Sequence, residues 1–273
     1  MSAYPVPTTL SPSRIESFLS CPLAFRFVNV QKLPDPPTIA TTKGSLVHRA
    51  LEVFFGDEGD RSAGHLHHSV DTAIAEYSSH PDLLDLGLSG TALADFLDDC
   101  RRLAVGYLEM EDPSSVRTVG LEMRIEAPVG PITLRGIIDR LERDHAGGLV
   151  VTDYKTGRAP APGRERKSLG GVQLYAILCE RTLGERPASV RLMYLRSGQT
   201  VSFTPTDQST RFMENRVTAV HRAIEQACDS GVFRPQRSGL CSYCAYQRWC
   251  PEFGGDPAAA AEEAPVVLGG RRG

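Results

Sequence analysis

The sequence lacks any long apolar run. None of its hydrophobic stretches approaches the roughly 20 residues that a membrane-spanning helix needs. Its first residues, MSAYPVPTTLSPSR, lack the charged start and apolar core of a signal peptide. We therefore expect a cytoplasmic protein without a membrane partner. In that compartment, the seven cysteines are expected to be reduced or metal-bound, not paired in disulfides.

A strong excess of charge is also absent. The formal net charge is −3 and the sequence pI is about 6.2, so no basic field over the whole protein attracts nucleic acid. The sequence has no G-x-x-x-x-G-K-[ST] loop, which excludes a P-loop motor. With 41% hydrophobic residues in 273, the chain can bury a core as one large domain or two modest ones.

The clearest chemical signal lies in residues 132–157. Residues 133–141 and 149–154 are rich in Ile, Val and Leu, and the Gly-containing segment 144–148 between them predicts a β-hairpin. If the turn is centred on residue 146, antiparallel pairing sets Asp139 opposite Asp153.

Two carboxylates directly opposed on one sheet face destabilise the pairing, and a divalent cation would compensate. Side chains alternate along a strand, so Lys155 projects from the same face as Asp153. The hairpin therefore predicts a metal site with a lysine beside it. A strand-end salt bridge of Asp139 with Arg140 is the plainer alternative.

Other stretches show helical or loop patterns. Apolar spacing of three and four predicts helices over residues 91–110 and 206–230. Residues 56–69, which contain three histidines, are interpreted as a polar loop. Residues 253–273 are low in complexity and predict a disordered tail. Glu122 is interpreted either as a solvated strand residue or as an acid behind a metal site.

Three cysteines lie close together near the end of the chain, at positions 241, 244 and 250. This C-x2-C-x5-C spacing suits metal ligands, but tetrahedral zinc or a cubane iron–sulfur cluster needs a fourth ligand. Cys21, which precedes a proline, is the candidate. Spacing alone leaves zinc and iron both open. The remaining cysteines lie on apolar helix faces and are interpreted as small buried hydrophobes: Cys100, Cys179 and Cys228.

Together these elements resemble a known enzyme family. The ordered motifs are GSLVH ending at His48, GIIDR containing Asp139, DYKTG starting at Asp153, and QLY starting at Gln173. With one early and three late cysteines, they resemble the RecB-type nucleases of the PD-(D/E)XK superfamily. Within that group, the sequence is most similar to the iron–sulfur branch, which includes the AddB nuclease domain and the CRISPR adaptation nucleases.

The resemblance implies an α/β fold. We expect a PD-(D/E)XK, restriction-endonuclease-like core over residues 1–252, with a mixed central sheet flanked by helices. An iron–sulfur cluster would join the N- and C-terminal segments through four cysteines: Cys21, Cys241, Cys244 and Cys250. Iron is preferred over zinc through the resemblance alone.

The resemblance also implies the roles of site residues. His48, Asp139, Asp153 and the backbone carbonyl of Tyr154 would bind Mg²⁺ or Mn²⁺. Lys155 would act on the attacking water and stabilise charge in the transition state. Gln173 would orient water or the phosphate. The family usually places its Gln and Tyr four residues apart, whereas here Tyr175 follows two residues after the Gln, so its role stays open.

The implied function is metal-dependent hydrolysis of DNA phosphodiesters, as an exonuclease on single strands or DNA ends in recombination or repair. DNA is the implied partner, and any helicase would act in trans. Two alternatives stay open, a CRISPR-associated adaptation nuclease and a non-catalytic iron–sulfur DNA-binding module. Oligomeric state and cleavage polarity are not indicated by the sequence.

Overall fold

The structure is a computed structural model that describes residues 2–56, 60–161, 163 and 169–269. The chain divides into two compact units. Unit 1 comprises Met1–Pro36, Glu126–Arg135 and Arg211–Gly273, and unit 2 comprises Pro37–Ile125 and Gly136–Thr210. Residue 252, the expected end of the nuclease domain, is not a boundary of either unit.

Six β-strands occur in the described residues. They are β1 (Thr9–Leu10), β2 (Arg117–Val129), β3 (Ile132–Arg143), β4 (Leu149–Lys155), β5 (Ser189–Tyr194) and β6 (Gln199–Phe203).

Nine α-helices occur in the same part of the chain, and a π-helical turn over Arg26–Val30 and several 3₁₀ turns accompany them. The helices are α1 (Pro12–Ser20), α2 (Pro22–Phe25), α3 (Ile39–Gly56), α4 (Ala63–Tyr77), α5 (Pro81–Leu84), α6 (Gly90–Val105), α7 (Leu174–Leu183), α8 (Asp207–Ser230) and α9 (Ala260–Gly269). None of the helices that the structure describes is long and apolar enough to cross a membrane.

Unit 2 contains most of the predicted mixed sheet: β4, β5, β6 and the larger parts of β2 and β3. β3 and β4 form the hairpin, paired antiparallel from Arg143 opposite Leu149 to Arg140 opposite Thr152. The turn closes through hydrogen bonds between Asp144 and residues 147 and 148, which centres it on residue 146 as expected. β5 lies parallel to β4, and β6 is antiparallel to β5.

Helices pack on this sheet through apolar faces. α3 buries Leu46, Val47, Ala50, Leu51 and Phe54 at helical spacing, in one cluster with side chains of α4 and α6. The same cluster includes side chains from β4 and from the end of β5. Burial of this stripe fixes α3 against the strand that carries the predicted carboxylate and lysine.

Unit 1 contains both ends of the chain. β1 pairs parallel with the start of β3, where Thr9 lies opposite Thr133. Ser11 caps α1 by accepting a hydrogen bond from the Arg14 backbone N–H, as expected for a Ser-Pro helix start. The C-terminal segment packs through Trp249, which is 2% exposed and donates its indole N–H to Glu263.

Two expectations about local structure were wrong. Residues 63–69 are the first two turns of α4, not a loop, because Ser62 caps this helix and Leu66, Val70 and Ala73 bury one face of it. Residues 260–269 form α9 where a disordered tail was predicted, and Ala260 and Ala264 on it are fully buried. Residues 270–273 of that tail lie outside the described residues.

Candidate active site

The candidate site lies in unit 2, where the β3–β4 ladder ends. The last paired residues are Arg140 and Thr152, so Asp139 and Asp153 stand at the next position, where the strands part. There the Asp139 carboxylate accepts a hydrogen bond of 2.8 Å from the Tyr154 backbone N–H. The side chain thus takes the place of a backbone partner, and its carboxylate is fixed at the end of the hairpin.

His48 reaches this point from α3. Its Nε2 lies 2.9 Å from the backbone carbonyl oxygen of Tyr154, and its Nδ1 lies 3.4 Å from Oδ2 of Asp139. The imidazole therefore has one nitrogen at a carbonyl and the other at a carboxylate. Three of the predicted metal ligands, His48, Asp139 and the Tyr154 carbonyl, come together.

Asp153 and Lys155 form the other side of the site. Asp153 is 7% exposed, and its Oδ2 is buried without a hydrogen-bond partner of standard geometry. The Lys155 ammonium forms an ion pair with that oxygen. A buried carboxylate oxygen with spare acceptor capacity is a suitable cation ligand.

The pKa values of the site residues are shifted, because several acids lie close together where little water reaches them. Burial, together with the charge of Asp153, raises the pKa of Asp139 to about 7, although His48 opposes this shift. Burial acts to lower the pKa of Lys155, but the charges of Asp153 and Asp139 outweigh it, so the pKa of Lys155 is raised. The lysine therefore stays cationic beside the carboxylates.

Glu122 belongs to the same group of side chains. His48, Glu122 and Asp139 each offer a ligand atom, and these atoms all lie within 4.8 Å of one another. Glu122 Oε1 lies 4.0 Å from Nδ1 of His48. Of the two interpretations that the sequence left open for Glu122, the structure favours the acid at the site over the solvated strand residue.

Tyr175 on α7 holds this helix against β3. Its hydroxyl donates to the backbone carbonyl of Ile137, two residues before Asp139. Gly136 makes the approach possible, because a Cβ at that position would lie 2.6 Å from the tyrosine ring. Gln173 is half-buried at the N-cap position of the same helix. The role that the sequence left open for Tyr175 is therefore to position β3.

Behind the site lies a buried charge network. The Arg140 side chain is fully buried, pairs with Glu111 and Glu142, and lies over the Tyr154 ring. Arg191 on β5 pairs with both glutamates. Arg140 thus belongs to a network behind the hairpin that links three strands. Arg140 therefore pairs with these two glutamates and not, as in the alternative interpretation, with Asp139.

The four predicted cluster cysteines lie in unit 1 as free thiols. Cys21 stands between α1 and α2, Cys241 begins a 3₁₀ turn, and Cys244 and Cys250 each directly follow such a turn. Burial raises the pKa of Cys244, and the charges of Cys21, Cys241 and Cys250 raise it further. Among the described residues, no group of three donor atoms within 4.8 Å of one another includes a cysteine. The other three cysteines are fully buried, as expected: Cys100, Cys179 and Cys228.

Comparison with known proteins decides the family. A model of the PD-(D/E)XK nuclease superfamily matches residues 9–251. The chain belongs to this superfamily. As a PD-(D/E)XK nuclease it is a hydrolase. The sequence Asp153-Tyr154-Lys155 has the (D/E)-X-K pattern of the superfamily name. The position before Asp139 holds Ile138 where the superfamily name has proline.

One protein is similar in sequence to this PD-(D/E)XK nuclease, and one solved structure is similar in fold, each over most of its length. The Gene 69 protein of Mycobacterium phage D29 is 23% identical over 271 residues, which cover 89% of this chain and 96% of that protein. A crystal structure of a protein from Eubacterium rectale, named "Putative exonuclease", matches with a TM-score of 0.54 at 12% identity and covers 88% of each chain. At that identity, the structural likeness shows the fold alone.

The sequence indicated candidate site residues on the hairpin and at His48, but it did not indicate the charge network behind them. Motif spacing indicated His48, Asp139 and Asp153, whereas nothing local linked Glu111 to the site. Its carboxylate reaches Arg140 only because the chain following α6 returns to β3. Alternation of charged and apolar residues in β3 could have suggested that Glu142 shares a face with Arg140.

Proposed function

We propose that the chain is a metal-dependent deoxyribonuclease that hydrolyses phosphodiester bonds, acting as an exonuclease on single strands or DNA ends in recombination or repair. The observation that supports this most strongly is the meeting of His48, Asp139 and Asp153 with Lys155 at the end of one hairpin. Membership of a nuclease superfamily supplies the reaction class.

The donor set fits Mg²⁺ or Mn²⁺. Carboxylate and carbonyl oxygens are the ligands of hard cations, and one imidazole tilts the preference toward manganese. His48, Asp139, Asp153 and the Tyr154 carbonyl would hold the ion. Crowded carboxylates with one ammonium among them leave negative charge that a cation would neutralise. A divalent cation bound there supplies Lewis-acid chemistry for phosphodiester hydrolysis.

The protein side chains supply orientation and charge. Lys155 stays cationic, and its ammonium stabilises negative charge that develops on the phosphoryl oxygens during attack by water. Gln173, at the start of α7, orients water or the scissile phosphate. Tyr175 holds β3 through the Ile137 carbonyl, and Arg140 connects β3 with β4 by lying over the Tyr154 ring.

We also propose an iron–sulfur centre in unit 1, held by Cys21, Cys241, Cys244 and Cys250, which would place the chain in the iron–sulfur branch of RecB-type nucleases. Four thiolates can hold either tetrahedral zinc or a cubane iron–sulfur cluster. We propose iron because the ordered motifs and the four cysteines resemble the iron–sulfur branch.

The experiment that tests the function is digestion of end-labelled DNA by the full chain. Single- and double-stranded substrates, linear and circular, labelled at 5′ or 3′ ends, are incubated with Mg²⁺, Mn²⁺ or EDTA. We expect cation-dependent release of label from linear substrates and no cleavage of circles. Cleavage of circles would replace the exonuclease by an endonuclease, and absence of cleavage with every cation would contradict the proposal.

A further inference from the structure

Glu122 occupies an irregular position in β2. Exposed side chains alternate along this strand, but the alternation changes phase near Glu122. Before it the exposed positions are odd, and after it they are even: 117 and 119, then 124, 126 and 128. The backbone of Glu122 has a φ of 42°, in the left-handed region that residues with a Cβ rarely adopt.

A change of phase with a left-handed residue is the signature of a β-bulge. An extra residue in one strand turns the following side chains to the opposite face and re-aims the residue at the bulge. The apolar face of β2 is recovered after it, at Ile125, Ala127 and Val129. The bulge therefore lets the strand keep its buried face while one side chain, Glu122, is presented differently.

The side chain that the bulge re-aims points to the candidate site. Its carboxylate oxygen is 4.0 Å from Nδ1 of His48, beyond hydrogen-bond distance, and within 4.8 Å of a carboxylate oxygen of Asp139. Arg49, a nearby cation, forms ion pairs with Glu52 and Glu76. Glu122 is thus placed beside another acid and an imidazole, with an oxygen free of a close hydrogen bond to either.

This arrangement is unfavourable for the protein alone and favourable for a cation. The Glu122 side chain is 32% exposed and the Asp139 side chain 10%, so a small ion can reach between them. The nine-tenths-buried Asp153, whose Oδ2 is paired with the Lys155 ammonium, adds its negative charge to that of Glu122 and Asp139. A side chain kept there by a strained backbone needs a partner that the residues themselves do not supply.

We infer that Glu122 is an additional oxygen ligand of the divalent cation, and that the bulge in β2 serves to present it. This inference rests on the proposed function, because it concerns the same cation site. It adds an acid to the three side chains and one carbonyl that the motifs indicate. A carboxylate that only oriented His48 would act by accepting a hydrogen bond, which a glutamine oxygen could also do.

The test is direct Mn²⁺ binding to the full chain, measured by electron paramagnetic resonance of free Mn²⁺ and by calorimetry. We expect Glu122→Gln to weaken Mn²⁺ binding about tenfold or more, a loss of the size that residues supporting a metal site produce. Glu126→Gln, on the same strand at an exposed position, serves as the control and should bind as the wild type does. Equal affinity of Glu122→Gln and wild type would overturn the inference.

Stability without metal provides a second measurement that separates ligation from a structural role. In EDTA, Glu122→Gln should unfold at a higher temperature than the wild type, because it removes one of the crowded charges. Glu122→Gly should unfold higher still, because glycine adopts positive φ without strain. A structural residue would instead give lower unfolding temperatures in both variants, and that result would also overturn the inference.

The outcomes distinguish this inference from the proposed function. If the wild type degrades DNA with Mn²⁺ but Glu122→Gln binds Mn²⁺ normally, the function stands and the role of Glu122 is wrong. If Glu122→Gln loses Mn²⁺ affinity while the wild type degrades no DNA, the ligand assignment stands and the substrate is wrong.

Discussion

Asp139 shows how single residues of the site respond to their surroundings. Its carboxylate is nine-tenths buried and accepts the Tyr154 N–H, yet burial and the charge of Asp153 raise its pKa to about 7. In the folded, metal-free protein, the protonated acid is therefore preferred across a pH range in which the unfolded chain is ionised. A bound cation would reverse this preference by favouring the carboxylate.

The raised pKa of Asp139 predicts the direction in which the stability of the folded protein changes with pH. An acid with a folded pKa above its unfolded value binds more protons in the folded state, so its contribution is present below pH 4 and is lost as pH rises to about 7. In EDTA, the free energy of unfolding of the wild type should therefore fall, relative to Asp139→Asn, by up to about 4 kcal/mol over this range. Urea unfolding at a series of pH values checks this. A constant difference between the two proteins would show that Asp139 ionises normally.

The sequence could indicate the hairpin acids, the lysine and His48 as candidates, because their relation depends on strand register and motif order. Glu122 was left undecided, because its direction depends on a bulge that strand alternation alone does not locate. Glu111 was missed, since it lies in a bend before β2 and its partners, Arg140 and Arg191, lie on strands distant in sequence.

At the scale of elements, the hairpin was predictable because the turn residues fix its register. The structure confirms the centre at residue 146. α4 was missed because its three histidines and Gly64 suggested a polar loop, although the Ser62 cap and the spacing of Leu66, Val70 and Ala73 carry a helix signal. α9 was missed because composition cannot show that two alanines are buried.

Alanine substitution is expected to have opposite effects on stability at two glycines, one at the close contact between α7 and β3 and one inside α3. A Cβ at Gly136 would lie 2.6 Å from Tyr175 and 2.9 Å from Leu178, so Gly136→Ala should destabilise the protein by about 1–3 kcal/mol. At Gly44, inside α3, a Cβ would meet only an ordinary contact of 3.6 Å, so Gly44→Ala should stabilise it by up to about 1 kcal/mol. Chemical denaturation measures both. Equal effects at the two positions would contradict the close packing of α7.

The buried charge network of Arg140, Glu111 and Glu142 gives a prediction about how strongly it holds the strands together. Arg140→Met leaves Glu111 and Glu142 without their buried partner and should cost about 3–5 kcal/mol of stability. Arg135→Met on the same strand removes an exposed pair with Glu126 and should cost less than about 1 kcal/mol. A loss of similar size in both variants, measured by thermal and urea unfolding, would show that the network does not hold the strands.

At the scale of the whole molecule, the two units carry different chemistry. Unit 2 contains the hairpin site, and unit 1 contains the four cysteines of the proposed iron–sulfur centre, which come from both ends of the chain. The sequence indicated the four cysteines by spacing and resemblance. It could not show the division into units, which depends on contacts between distant segments.

The proposed iron–sulfur centre predicts a coupled loss of colour and stability. Cys244→Ser should remove the visible absorbance of the cluster and lower the unfolding temperature, because the cluster ties the N-terminal helices to the C-terminal turns. Cys179→Ala, which changes a fully buried cysteine elsewhere, should keep the colour. Metal analysis that finds zinc and no iron in a colourless wild type would replace the assignment.

The assignment of the hairpin as the catalytic centre is tested most directly by comparing Asp153→Ala with the wild type and with Asp98→Ala. For each protein, the Mn²⁺-dependent degradation of end-labelled linear DNA is measured. Asp98 is an exposed residue of α6 in the same unit, which makes it a matched control. The site described here predicts that the wild type and Asp98→Ala degrade the DNA, and that Asp153→Ala stays folded by circular dichroism but loses activity by about a hundredfold or more. Undiminished activity of Asp153→Ala would contradict the assignment of the hairpin as the catalytic centre.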